Sequence, residues 1–208
     1  MSIVLVISAP SGTGKSTLVS GLVASDADLE FAVSVTSRSP RDQEVPGRAY
    51  RFVSTERFRS MVAEEAFLEW AVVFGNLYGT PKAALEEAAE RGHDIVLDID
   101  VQGAAQLMEK LPEAVTVFIL PPSSQALEDR LRNRSSEKEQ EIEGRLREAA
   151  REVGQYRKYQ HVIVNDDVEA SVGALRSILA AERSKREHMA NPIRPILTEF
   201  GIDPEEPE

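Results

Sequence analysis

The sequence predicts an α/β fold: a parallel sheet with helices on both faces, three layers in all, interrupted once by an inserted lobe. Two observations carry this. Short β-branched runs alternate with longer helical stretches, and the strand runs are apolar throughout, as in strands buried on both faces. From about Ser34 to about Gly79 the rhythm breaks and a more polar segment takes over.

The elements follow in order. Residues 3–7 read as a first strand and 16–24 as the helix after it. Residues 94–98 and 101–110 repeat that pair, 115–120 leads into 123–133, and 162–164 leads into a helix over 168–187. Within the polar segment, 50–53 and 67–74 read as short strands, with a helix near 55–63. Thr80-Pro81 then restarts the helical pattern, Thr80 as N-cap and Pro81 at the first helical position, where a missing N–H costs nothing. The core is therefore assigned to 1–33 and 80–190 and the lobe to 34–79. From Asn191 onward a proline-spaced, acid-ended tail, 191–208, is expected to be mobile.

Composition narrows the function classes. A chain of 208 residues can bury one full hydrophobic core, and 42% hydrophobic with 28% charged residues describes a soluble globular protein. Cysteine is absent, which removes disulfides, thiolate metal sites and cysteine nucleophiles together. A formal net charge of -11 argues against nucleic acid and anionic membrane as partners, since both need positive surface over many residues. The opening MSIVLVISAP has no basic leader and too short an apolar run for a signal peptide or membrane span, so a cytoplasmic location is expected.

Between the first strand and its helix lies SAPSGTGKST. From Ala9 it matches the phosphate-binding P-loop, G-x-x-x-x-G-K-[ST], at every place but the leading glycine. Such a loop turns main-chain N–H groups and a helix N-terminus toward a phosphate chain. Lys15 adds positive charge at the β and γ oxygens, and Ser16 offers a hydroxyl to Mg²⁺. Gly12 and Gly14 permit backbone angles that side chains would block. Ala9 would be strained if the loop needed positive φ there. A glycine-rich turn with an exposed lysine is the bland alternative, and it leaves the flanking strand, helix and intact GKST unexplained. IVLD at 95–98 supplies Asp98 at the end of a neighbouring strand; alone it would read as a turn residue, but beside a P-loop it reads as a second magnesium ligand, direct or through water.

The acidic chain also concentrates four arginines (Arg38, Arg41, Arg48 and Arg51) in TSRSPRDQEVPGRAYRF, residues 36–52, which points to a local anion. The pattern T-S-R-x-x-R-x-x-E-x-x-G-x-x-Y-x-F in this run resembles the signature of guanylate kinases. Further stretches agree: FLEWAVVFGNLYGTPK at 67–82, LDIDVQG at 97–103, RLRNR at 130–134 and IVNDD at 163–167. The resemblance covers nearly the whole chain apart from the tail.

That resemblance implies a P-loop core with an inserted GMP-binding lobe and a helical lid at about 130–148. It also implies transfer of the ATP γ-phosphoryl group to GMP, with dGMP as a further acceptor, in purine nucleotide metabolism. ATP binding then falls to Ala9, Pro10, Ser11, Gly12, Thr13, Gly14, Lys15, Ser16 and Thr17, with Arg130, Asn165 and Asp166 near the adenine. GMP binding falls to Ser34, Arg38, Arg41, Glu44, Tyr50, Glu69, Tyr78, Gly79, Thr80, Asp98 and Asp100. Lys15, Arg38, Arg41, Arg134 and Arg145 carry the catalysis, and Mg²⁺, held by Ser16 and Asp98, is the cofactor.

The residue types suit these roles. A nucleoside monophosphate carries about two negative charges near neutral pH. Arg38 and Arg41 can clamp it bidentately where lysine could not, and Tyr50 and Tyr78 can donate to its other oxygens. Glu44 would orient the arginines, because a carboxylate facing phosphate is repelled, while Arg48 and Arg51 fall off the pattern and read as solvated charges. Guanine presents N1–H and an amino group side by side, two donors that the Glu69 carboxylate can accept; adenine presents an acceptor at N1. The attacking phosphate oxygen is already anionic and needs no general base, so His93, His161 and His188 are left out of the chemistry. A non-catalytic guanylate-kinase-like binding module would carry a degraded P-loop, and a kinase for another monophosphate would leave Ser34, Glu69 and Asp100 unexplained. A P-loop GTPase would show N-K-x-D, which the chain lacks.

Overall fold

A computed structural model describes residues 2–40, 44–45, 47–48, 50–73, 75–134 and 139–203, except the side chains of 134 and 139–141. Arg41, Phe74, the Arg134 side chain and the end of the acidic tail therefore lie outside the described residues. In chain order the elements are β1 (Val4–Ser8), α1 (Lys15–Ala24), β2 (Leu29–Phe31), β3 (Ser34–Thr36), β4 (Tyr50–Phe52), α2 (Thr55–Ala63), β5 (Phe67–Val73) and β6 (Asn76–Pro81). There follow α3 (Lys82–Arg91), β7 (Asp94–Asp98), α4 (Val101–Lys110), β8 (Val115–Leu120), α5 (Ser124–Arg134), α6 (Glu139–Val153), β9 (His161–Val164), α7 (Val168–Arg183) and α8 (Arg186–Glu199).

Five strands form a parallel sheet in the order β2-β7-β1-β8-β9. Leu18, Val19 and Leu22 of α1 and Leu175 and Leu179 of α7 cover one face, against Leu5, Ile7, Val96, Val117 and Ile119. Ala88 of α3 and Ala104 and Leu107 of α4 cover the other, against Val6, Ile95, Leu97 and Phe118. Burial on both faces is why these strands carry no polar alternation; each fully buried aliphatic side chain contributes roughly 1.5–3 kcal/mol. Register does the positioning: Ile7 lies opposite Asp98, so the loop after β1 and the carboxylate ending β7 emerge side by side.

The inserted segment makes a second sheet, β4-β3-β6-β5, in which β3 and β4 run parallel and the other pairs antiparallel. It has its own small core of Val35, Phe58 and Phe67, with the two phenyl rings stacked at 4.6 Å. Another separate cluster, Leu127, Leu131, Ile142 and Ala149, joins α5 to α6.

Two expectations change. Thr80 is not an N-cap: β6 runs on to Pro81, which takes the N-cap position of α3 with φ -64 and ψ 141, and the Thr80 hydroxyl is committed to Glu69. The helix expected over 168–187 ends at Arg183, and α8 spans residues 186–199, so the segment from Asn191 begins as helix with Pro192 and Pro195 inside it. Each proline removes one helix hydrogen bond but holds φ at a helical value, and α8 buries no residue, so the loss falls on a solvated face.

Candidate active site

The loop between β1 and α1 is bent by two glycines, Gly12 at φ 88 and Gly14 at φ 96, the second standing directly before the first turn of α1. Among the described residues the one non-glycine with positive φ is Glu65, so Ala9 sits in the loop without backbone strain. Thr13 closes the turn, its main-chain N–H and hydroxyl both donating to the Pro10 carbonyl at 3.2 and 2.7 Å. The Lys15 ammonium reaches across to β7, pairing with Asp98 Oδ1 at 2.7 Å and donating to the Ile99 carbonyl. Ser16 Oγ donates to Asp98 Oδ2 at 2.9 Å. A hydroxyl and a carboxylate, both hard oxygens, thus meet at a helix N-terminus beside a lysine, and this donor set fits Mg²⁺, which takes few protein ligands and the rest from phosphate and water. Among the described residues no cluster of three or more His, Cys, Asp and Glu forms a full metal cage.

A cleft of about 460 Å³ opens beside this corner, lined by Ser16, Val19, Ser20, Val23, Ala24, Phe31, Arg48, Tyr50 and Asp98. The P-loop side and the second sheet therefore face one space. Arg48, expected as a plain solvated charge, stands on its wall.

Across the cleft, Arg38 is held from several sides. Glu44 takes it bidentately, Nη1 to Oε2 and Nη2 to Oε1, both at 2.8 Å, and Tyr78 Oη accepts from Nε at 3.2 Å. The guanidinium also lies 5.5 Å from the Tyr50 ring centre and 5.6 Å from that of Phe52. Glu44 pairs with Arg38, one of the arginines it was expected to orient, and raises the Arg38 pKa above its already high ordinary value. Tyr50 packs edge-on to Tyr78 at 5.7 Å, and burial pushes its hydroxyl up to about 12, so it stays a donor at neutral pH.

Glu69 lies on β5, where alternation turns Phe67, Glu69 and Ala71 inward and Trp70 and Val72 out. Only 3% of it is exposed. Its Oε1 accepts from the Thr80 main-chain N–H at 2.9 Å and from the Thr80 hydroxyl at 2.6 Å, and that hydroxyl lies 3.4 Å from Ser34 Oγ. Burial, aided by the charge of Asp100 and opposed by the Thr80 hydroxyl, pushes the Glu69 carboxyl up to about 6. Asp100 caps α4, accepting from Gly103 N at 2.8 Å. Gly79 lies on β6 opposite Trp70, where a Cβ would stand 2.9 Å from Phe67.

Arg130 and Asn165 converge on one atom. Arg130 Nη1 and Asn165 Nδ2 donate to the Thr13 carbonyl at 3.0 and 2.8 Å, and Arg130 Nη2 donates to the Asn165 carbonyl at 3.0 Å. Asp166 is exposed, and its neighbour Asp167 caps α7 through Ala170 N. Arg145 lies half-buried on α6, and Arg134 ends α5.

The chain matches the family model described as guanylate kinase over residues 1–182. It belongs to the guanylate kinase family. Among curated guanylate kinases, that of Caldanaerobacter subterraneus is 45% identical over 88% of this chain and 89% of its own length. That of Koribacter versatilis is 50% identical over 88% of this chain and 80% of its own. A crystal structure of guanylate kinase from Anaplasma phagocytophilum superposes with a TM-score of 0.76 at 33% identity, covering 97% of each chain.

Two polar groups near the loop went unread in the sequence of this guanylate kinase family member. Glu152 lies in the last turn of α6; burial, with the charges of Asp100 and Glu148, pushes its carboxyl up to about 7, opposed by the Ser11 backbone and the charge of Lys15. Its Oε2 and the Tyr159 hydroxyl are both buried without a hydrogen-bond partner among the described residues. Neither follows a motif: Glu152 is one of several acids on a charged helix.

Proposed function

We infer that the protein transfers the γ-phosphoryl group of ATP to GMP, giving ADP and GDP, with the two nucleotides entering from opposite sides of the cleft that joins Ser16 and Asp98 to Tyr50. The observation that carries this reading is the buried Glu69 carboxylate, fixed through one oxygen by Thr80. A buried acceptor of this kind suits the paired N1–H and amino donors of guanine and repels the N1 lone pair of adenine. Discrimination from such unpaired polar groups reaches ~10⁴-fold.

The loop amides from Ser11 to Thr17 and the Lys15 ammonium would take the triphosphate. Ser16 and Asp98 would hold Mg²⁺, which supplies charge neutralisation at the β and γ oxygens. Arg38, kept in place by Glu44 and Tyr78, would meet the GMP phosphate with Arg41, Tyr50 and Tyr78. Arg134 and Arg145 would bring positive charge to the transferring group, a contribution worth ~10³–10⁵ in rate for arginines so placed. The acceptor oxygen is already anionic, so catalysis rests on alignment and electrostatics, and closing both the lid at about 130–148, over ATP, and the GMP-binding lobe would exclude water. A cytoplasmic role in purine nucleotide metabolism is the setting proposed for this activity.

The test is ADP release from ATP and Mg²⁺ with GMP, dGMP, AMP, CMP or UMP as acceptor. Rapid turnover with GMP and dGMP alone is expected, and Lys15→Ala should nearly abolish it. Turnover that prefers AMP or a pyrimidine nucleotide would remove the assignment of Glu69.

A further inference from the structure

The second sheet ends at β5, which pairs with β6 alone among the described residues. At such an edge the main-chain groups of alternate residues have no strand to meet and need another cover. Here α4 supplies it with side chains. Gln106 takes both groups of Trp70: its Nε2 donates to the carbonyl at 2.7 Å, and its Oε1 accepts from the N–H at 3.3 Å. One turn further along, Lys110 Nζ donates to the Leu68 carbonyl.

These bonds fall on the two residues that flank Glu69. Gly103, Gln106 and Lys110 are spaced i, i+3 and i+7, so they stand in a row along one face of α4. Gly103 lies against the Glu69 carboxylate, Gln106 against Trp70 and Lys110 against Leu68. The two bonds from Thr80 tie Glu69 Oε1 to β6, within the second sheet. How that sheet sits on the core is a separate matter, and it decides where Glu69 stands relative to Asp100. Asp100 is the N-cap of α4, held there by Gly103 N. The two acids expected at the guanine edge therefore belong to different elements, and their spacing depends on how β5 lies along α4.

We propose that Gln106 and Lys110 are positioning residues for guanine recognition: by fastening the main chain on both sides of Glu69 to the helix that Asp100 caps, they set the spacing of the two acids. This rests on reading Glu69 as the carboxylate that meets guanine.

The test is steady-state kinetics of Gln106→Met, Lys110→Met and Lys110→Arg, each made also in a Glu69→Gln background. Base contacts are kept in ground state and transition state alike, so weakening them raises KM and spares kcat. In Gln106→Met, KM for GMP should rise about tenfold, with kcat and KM for ATP near their native values. Lys110→Met should raise it less, and Lys110→Arg, which can still donate to Leu68, should bring it back. In the Glu69→Gln background the same substitutions should change KM for GMP by less than about twofold, because the carboxylate they act through is gone. An unchanged KM for GMP in Gln106→Met overturns the proposal, as does an equal rise with and without the Glu69 carboxylate. A KM for ATP that rises in step overturns it too, since a general structural lesion would do that. Should Tm show that Gln106→Met folds poorly, the Lys110 pair decides by the same outcomes. Native GMP kinetics in Glu69→Gln alone would instead overturn the reading of Glu69, and the proposal with it.

Discussion

Glu69 and Gly103 are fitted to each other: a Cβ at position 103 would stand 2.2 Å from Glu69 Oε2 and 2.9 Å from its Cδ. The first turn of α4 approaches the carboxylate that closely because residue 103 has no side chain. Gly103→Ala should force the Glu69 carboxyl to rotate away. Displacing a recognition group by about 1 Å can cost ~10²-fold, so kcat/KM for GMP should fall by at least about tenfold. ATP affinity, measured by titration on the same protein, should stay near its original value.

Acid should disable guanine recognition before it unfolds the protein. The Glu69 carboxyl is pushed up to about 6, and only its ionised form accepts two donors. As pH falls through about 6, kcat/KM for GMP should fall, since that parameter follows the free enzyme. The second phosphate proton of GMP also titrates near ~6. The comparison is therefore with Glu69→Gln, which keeps the substrate's titration and lacks that of the side chain. Identical pH profiles for the two proteins would remove the role given to Glu69.

The same carboxyl makes an opposite contribution to stability. Its folded pKa, about 6, lies above the ordinary 4.5, so the folded protein binds the proton more tightly than the unfolded chain. That stability is fully present below pH 4.5 and is lost as pH rises through about 6. At pH 8 the ionised Glu69 therefore costs about 2 kcal/mol. Glu69→Gln, whose amide oxygen can still accept from Thr80, should raise Tm at pH 8 and have little effect at pH 4. Thermal unfolding at the two pH values checks the sign.

Asn165 is 2% exposed, and its amide is tied to both Thr13 and Ser171. Asn165→Ala should cost about 1–3 kcal/mol of unfolding free energy through the lost buried bonds. It should also raise KM for ATP, because the loop carbonyl then rests on Arg130 alone. Urea unfolding and steady-state kinetics measure the two effects separately.

Much of the parallel sheet could be read from the residues because buried parallel strands are continuous apolar runs: β7, α4 and β8 begin and end where their patterns do. The second sheet was harder. β4 and β5 were read, but β3 has only three residues, too few for a period, as has β2 at the edge of the parallel sheet, and β6 hides behind Thr80-Pro81, which read as the start of a helix. The site divided along the same line. Lys15, Ser16 and Asp98 were legible as a motif and lie together in the structure, whereas no motif announces the bond from the Asn165 amide to the Thr13 carbonyl. The buried Glu152 Oε2, unpartnered among the described residues, was not legible either, since no local pattern on the charged helix α6 singles that residue out.

Among the described residues the apolar packing falls into four separate clusters, two on the faces of the parallel sheet and one each in the second sheet and the α5–α6 pair. Each outlying unit keeps an interior of its own, which is what tilting as a block along a seam would require. Such an arrangement would let a protein that has to bring two mutually repelling substrates together change shape without partly unfolding.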